Sequence, residues 1–246
     1  MTEPDLLEAL GMIQSSQIID LTHDLFVNMP SYPTLPSFKM DYLKLAARDG
    51  STVTVITRMH MHTGTHVDFP CHVIPDSKCL EDYSLQDLSG QGVVIDLSHK
   101  KEGEEITESD LLKYGSHIRK GEMLFMFTGW SRRRAVTPTY LFKWPHLSRR
   151  AARFLVSRRP KVVGIDGLSM GGWRGKMMVG PIAKTPSRTI HRMLLEAGIL
   201  ILEEVANLDK VLMREKVARS FFILAPLAVR GAEASPCRVI SIRSSV

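Results

Sequence analysis

Apolar residues along this chain come in short bursts separated by polar or turn-forming residues. Eight bursts have strand length, are rich in β-branched residues and are bounded by Gly, Pro, Ser or charge: QIIDLT (17–22), TVTVITRMH (52–60), GVVIDLS (92–98), GEMLFMFTGW (121–130), KVVGIDGLS (161–169), ILILEE (199–204), FFILAPLAV (221–229) and CRVISI (237–242). Each predicts a strand. Helical signals are fewer. TESDLLKYG (107–115) opens on a threonine with an acid three residues later and stops at Gly115, the pattern of a capped short helix. Residues 148–159 and SRTIHRMLLEAG (187–198) complete the set, the latter starting at a capping Ser187 and ending at Gly198.

Strands outnumber helices, and the connections have both hairpin and crossover length. That pattern predicts an α/β fold class: a single mixed α/β domain with a β-rich core. At 246 residues, 44% hydrophobic and 24% charged, the composition is that of an ordinary globular chain, so one domain is expected over 1–246.

Charge and cysteine content narrow the function classes. The formal charge of +6 is concentrated in residues 131–161, which hold a run of Lys and Arg and no acid. Such a run can attract nucleic acid or an anionic partner. The simpler reading is a solvated amphipathic helix in LSRRAARFLVSRR, with Leu147, Ala151, Phe154 and Leu155 near one face and arginines on the others. No nucleic-acid signature accompanies the arginines, so a nucleic-acid partner is not expected. Cys71, Cys79 and Cys237 make an odd count with no CxxC pair, which predicts no disulfide framework and a reducing compartment. The opening MTEPDLLEALGMIQSS lacks the basic and apolar regions of a signal peptide, and no apolar run reaches the roughly 20 residues of a membrane helix. A cytoplasmic location and no membrane partner are therefore expected.

The chemistry concentrates in HTGTHVDFPCH (62–72), which holds three of the nine histidines and an aspartate. His62, His66, Asp68 and His72 share one parity, but on a straight strand rising about 3.3 Å per residue His62 and His72 would be roughly 33 Å apart. Gly64 and Pro70 supply the bends that would gather them. Two imidazoles and a carboxylate suit Zn²⁺, Mn²⁺ or Fe²⁺ and leave coordination positions open for water or substrate. His62, His66 and Asp68 are the expected metal ligands, and His72 the expected general acid/base. His60, two residues upstream, reads as an ordinary strand side chain, and Cys71 as a packing residue.

A second contributor follows from helix and strand lengths. From His191 a helix runs about 10 Å to Gly198, and the returning ILILE covers about 13 to 16 Å, bringing Glu203 back to the level of His191. That pair would serve a second metal position or support the first ligands. Glu204 points to the other side of the strand.

HTGTHVDFPCH resembles the HxGTHxDxPxH motif of the cyclase-type metal-dependent hydrolases, which include bacterial kynurenine formamidases and isatin hydrolases. The likeness continues through IIDLTHDLFVNMPSYP, FTGW, VVGIDGLS, HRMLLEAGILILEEVANL and APLAVRGAEASPCRVISI. It implies the swivelling β/β/α fold of that family. It also implies a divalent metal, Zn or Mn, on His62, His66 and Asp68, with Asp68 bridging to a second ion on His191 and Glu203 where the site is binuclear, and His72 as acid/base. The implied activity is hydrolysis of an amide or lactam-type C–N bond in a small, aryl substrate, by a homodimer or higher homo-oligomer. A lactonase, a dehydratase or an isatin hydrolase-like enzyme is the alternative. An aryl substrate needs an apolar wall, for which Phe26, Tyr32, Phe69 and Trp130 are candidates. Members commonly read S-x-D after the GID strand; this chain reads SMGG, with Gly171 in place of the acid.

Overall fold

Every one of the eight apolar bursts forms a strand in the computed structural model, which describes residue 11 and residues 15–173 and 186–243. In chain order the strands are β1 (Gln17–Asp20), β2 (Lys39–Lys44), β3 (Val53–Arg58), β4 (His66–Asp68), β5 (Ser89–Asp96), β6 (Glu105–Ile106), β7 (Met123–Phe127), β8 (His146–Leu147), β9 (Val162–Ile165), β10 (Leu200–Glu203), β11 (Val217–Pro226) and β12 (Ala234–Arg243). The helices are α1 (Ala46–Asp49), α2 (Glu108–Leu112), α3 (Pro138–Phe142), α4 (Arg149–Arg158), α5 (Pro186–Glu196) and α6 (Leu208–Leu212).

Seven strands close into a mixed barrel in the order β12-β11-β5-β7-β9-β10-β4, with β4 pairing back onto β12, and β1 adds antiparallel to β12. The run β5-β7-β9-β10 is parallel, whereas β4, β11 and β12 are antiparallel to their neighbours. Alternation along the strands explains why so short an apolar run suffices. Val94, Phe125, Leu202 and Phe222 belong to one buried cluster, within the ring. Their neighbours Val93, Ile95, Leu124, Met126 and Ile201 belong to another, shared with Ala151 and Leu155 of α4 and Leu194 of α5, so the helices cover the outside.

The caps agree with the sequence. Thr107 Oγ1 accepts from Asp110 N while the Asp110 carboxylate accepts from Thr107 N at 2.8 Å, and Ser148 caps α4 by accepting from Ala151 N. Helix α5 begins at Pro186, one residue before the expected capping Ser187, whose side chain lies outside the described residues. The opening stretch MTEPDLLEALGMIQSS also lies outside them, save residues 11, 15 and 16. Among the described residues no helix is long and apolar enough to cross a membrane.

One expectation is overturned. Cys71 and Cys79 are joined as a disulfide, with Cα atoms 5.4 Å apart, and only Cys237 is free. The pairing follows from the backbone: a turn at Pro70–His72 reverses the chain, and Cys71 N donates to Lys78 O at 3.1 Å, which closes the loop between the two cysteines. A cysteine count carries no information about such a closure. Strands β2, β4, β6 and β8 fall outside the expected set, and β2, which has no long apolar run, pairs with the expected β3 in a two-stranded ribbon. It exposes Tyr42, Leu43 and Ile56.

Candidate metal centre

Separate local devices aim each ligand-type side chain. Gly64 adopts φ of +64°, and a Cβ there would stand 2.7 Å from Leu25 Cδ2, so this turn is reserved for glycine. The turn feeds β4, where Val67 enters the barrel cluster and His66 and Asp68 therefore face outward. The same parity on β10 puts Leu202 inside and Glu203 outside. Beyond β4, the 3-10 turn Pro70–His72 brings His72 back toward the cluster, and α5 lays His191 across it.

The threonines of the stretch are structural. Thr65 Oγ1 donates to Glu204 O at 2.6 Å and accepts from His23 N at 2.9 Å, while Thr63 Oγ1 donates to His60 O at 2.7 Å. Thr65 ties the turn to the residue that follows Glu203, and Thr63 ties it back to His60. Met170 N in turn donates to Glu203 Oε1 at 2.5 Å, which fixes that carboxylate.

The resulting distances are short. His62 Nδ1 lies 2.9 Å from Asp68 Oδ1, and His191 Nε2 lies 2.9 Å from Glu203 Oε1 and 3.3 Å from Asp68 Oδ2. His66 Nε2 is 3.4 Å from Asp68 Oδ1 and 3.6 Å from Glu203 Oε2. The His72 ring centroid is 4.4 Å from that of His62 and 5.8 Å from that of His191. Ligand atoms of His62, Asp68 and His72 lie within 4.8 Å of one another, as do those of His66, Asp68 and Glu203.

A divalent cation fits this set. His66 Nδ1 is 2.8 Å from Gly64 O, a contact in which the nitrogen must donate, so in the neutral ring Nε2 presents a lone pair to two carboxylates. His66 Nε2 and both Asp68 oxygens are buried with no hydrogen-bond partner. Lone pairs facing one another in a buried site need positive charge between them. The titration preferences show the same demand. Burial disfavours charge on His62, yet the Asp68 carboxylate outweighs it and raises the imidazole to about 10. Burial, the largest single influence, is likewise outweighed at His191 by Glu203 and Asp68 together, through charge and hydrogen bonding, and the imidazole is pushed well above its ordinary value. His66 and His72, where burial dominates, are lowered, His72 to about 4.

His62, His66, His72, His191 and Glu203 line a cavity of about 450 Å³, and Asp68 is fully buried behind them. Of the four aromatic candidates for its wall, Tyr32 lines it, edge-on to Trp173 at 5.7 Å between centroids. The others are placed elsewhere: Phe69 is fully buried in the barrel cluster, Trp130 stacks on Tyr140 at 6.1 Å, and Phe26 sits half-exposed against the Arg134 guanidinium. Phe69 and Trp130 are taken up by core packing. His60, read as an ordinary strand side chain, instead lies just past β3, lines the cavity and meets Ser31 Oγ at 3.1 Å. Leu35, Leu168, Arg188 and Glu233 also line it, and Glu233 Oε1 is 3.4 Å from His62 Nε2. None of these had a signal in residue type or spacing.

Glu204 faces away from the cluster, as its parity requires, and its carboxylate is 3.5 Å from Arg134 Nε. Other arginines of the basic stretch are also engaged within the chain: Arg132 with Asp209 at 2.8 Å and Arg133 with Glu102 at 2.9 Å. Helix α4 buries Ala151, Ala152 and Leu155, the amphipathic arrangement expected.

Known proteins resemble this chain over nearly its whole length. It is 28% identical over 229 residues to the kynurenine formamidase of Bacillus mycoides (strain KBAB4), covering 93% of this chain and 98% of that one. Isatin hydrolase A from Labrenzia aggregata superimposes with a TM-score of 0.81 at 26% identity, covering 99% of this chain and all of that one. A structure described as a predicted metal-dependent hydrolase from Bacillus stearothermophilus does so with a TM-score of 0.71 at 27% identity, covering 92% and 98%. The model of the cyclase family, described as "Putative cyclase", matches residues 19–171, more than half of the chain, and the chain belongs to that family.

Proposed function

We propose that this chain is a metal-dependent hydrolase that opens an amide or lactam-type C–N bond in a small aryl substrate, in the manner of a kynurenine formamidase. The observation that carries the reading is the convergence of His62, His66, Asp68, His191 and Glu203 at one cavity, with His66 Nε2 and both Asp68 oxygens buried and without a hydrogen-bond partner. The kynurenine formamidase and isatin hydrolase relatives support it.

His62, His66 and Asp68 would hold a first divalent ion, Zn or Mn, and Asp68, His191 and Glu203 a second. When bound, such ions polarise a carbonyl and lower the pKa of water from 15.7 to about 7. The chain supplies the rest. His72, neutral around pH 7 because burial lowers it to about 4, takes a proton from the attacking water and delivers it to the leaving nitrogen. The hydroxyl adds to the carbonyl carbon, the C–N bond breaks, and acid and amine leave. Tyr32, Leu35 and Leu168 give the ring an apolar wall. One observation favours a second reading for His72: its ligand atom lies as close to His62 and Asp68 as a third ligand would.

The homodimer or higher homo-oligomer belongs to the same proposal. The β2–β3 ribbon, with Tyr42 and Leu43 each 61% exposed, supports it, since a bare two-stranded ribbon is marginal in water. Sedimentation of the purified chain decides the subunit count.

The test of the activity is metal analysis followed by an amide panel led by N-formylkynurenine. About one or two ions per chain, and turnover that a chelator removes and Zn²⁺ or Mn²⁺ restores, is the expected result. A chain that retains no divalent metal under supplementation overturns it.

A further inference from the structure

Outside its metal-binding residues the cavity has a charge asymmetry. Arg188 is the one lysine or arginine among the described lining residues. Among the described residues it meets no carboxylate at ion-pair distance, and it is exposed to the cavity mouth. The acid that could neutralise it, Glu233, is occupied elsewhere: its Oε1 lies 3.4 Å from His62 Nε2.

Arg188 and His191 are three residues apart on α5, hence on one face and separated by about 4.5 Å along the axis. Arg188 stands nearer the helix N-terminus and is exposed where His191 is buried, and both line the same cavity. The first turn of this helix adds the positive end of its dipole to the same region. A molecule with its scissile carbonyl at the metal-binding residues and its ring against Tyr32, Leu35 and Leu168 would point its far end at Arg188. A planar fork of donors matches a carboxylate in two parallel hydrogen bonds.

We infer that Arg188 is a specificity residue that selects substrates bearing a carboxylate on the ring side of the scissile amide. The inference rests on the hydrolase reading and adds the charge of the substrate to it. A neutral aryl amide of the same size would leave the guanidinium solvated and gain nothing from it.

The test uses the full chain loaded with zinc, as wild type, Arg188→Gln and Arg188→Lys, with zinc content measured in each. The substrates are the ortho, meta and para formamidobenzoates against uncharged formanilide, which shares their ring and formamide. Wild type is expected to prefer the best carboxylate isomer, and Arg188→Gln to lower the ratio of kcat/KM between charged and neutral substrates by about tenfold to a hundredfold, the range of a charge-assisted hydrogen bond. Arg188→Lys should keep part of the preference, as a point charge without the fork. A parallel calorimetric titration with the aminobenzoates and aniline measures binding alone. If wild type hydrolyses no formamide, the hydrolase reading falls, and the titration still decides Arg188: aminobenzoate affinity lost in Arg188→Gln upholds its role. A preference for the charged partner that is absent in wild type, or unchanged in Arg188→Gln, overturns the inference.

Discussion

His66 and Glu203 are register partners across β4 and β10, and their side chains approach to 3.6 Å on the outer face of the barrel. With Asp68 two residues along β4, they turn a strand pair into a rigid half of the metal centre; α5 and the Pro70–His72 turn supply the rest. His66→Ala removes the central imidazole of this pair. The expected outcome is loss of retained metal, read by elemental analysis of the purified variant beside wild type.

His72→Ala separates the two readings of that residue. Loss of a general acid/base lowers kcat by about 10²- to 10⁴-fold with metal content unchanged. A variant that loses an equivalent of metal makes His72 a ligand instead, and a fully active one removes it from both roles.

Glu204 is buried beside Arg134, and burial, the largest influence, raises its carboxyl to about 7 against the partial opposition of that arginine. A carboxyl whose folded pKa lies above its unfolded value of 4.5 favours the protonated fold. Its contribution to stability is therefore full below the unfolded pKa and is lost as pH rises through about 7. Thermal melts between pH 4.5 and 7.5 should show wild type losing stability relative to Glu204→Gln as pH rises. Parallel curves for the two proteins would contradict the assignment.

Gly64→Ala places a Cβ against Leu25 and holds an alanine at φ of +64°. A cost of about 1–3 kcal/mol is expected, seen as a lower denaturation midpoint with unchanged slope.

The Cys71–Cys79 link closes a loop of sequence separation 8, for which chain entropy gives about 2–3 kcal/mol. Cys71→Ser with Cys79→Ser should lower the melting temperature, and a thiol reductant should lower that of wild type but not of the double variant.

Much of this was legible in the sequence, for identifiable reasons. Strands β7 and β9 are apolar along their length because they are covered on both faces, and their runs were unmistakable. Helix rise and strand rise bring Glu203 to the level of His191, parity lets only one of Glu203 and Glu204 face it, and the resemblance to the cyclase-type motif favoured Glu203, which lies 2.9 Å from His191 Nε2. Strand β4 was not legible: HVD has two polar residues in three and exists as a strand because β10 and β12 both bond to it. The aromatic wall failed for a related reason, since an aromatic's burial is set by which neighbours its face meets, and Phe69 and Trp130 met the core. Arg188 and Glu233 reach the cavity through tertiary packing that no local spacing encodes.

The closure of the barrel through β4 has one more implication. Those three residues are at once the seam of the cylinder and the platform for two ligands, with backbone pairing to β10 and β12 on either edge. Ions held through His66 and Asp68 of β4 and through Glu203 of β10 would therefore rivet the seam from outside. Amide hydrogen exchange at Val67 should slow on metal loading more than at Phe125 on the far wall, making the mineral state of the protein readable in its backbone before any substrate is added.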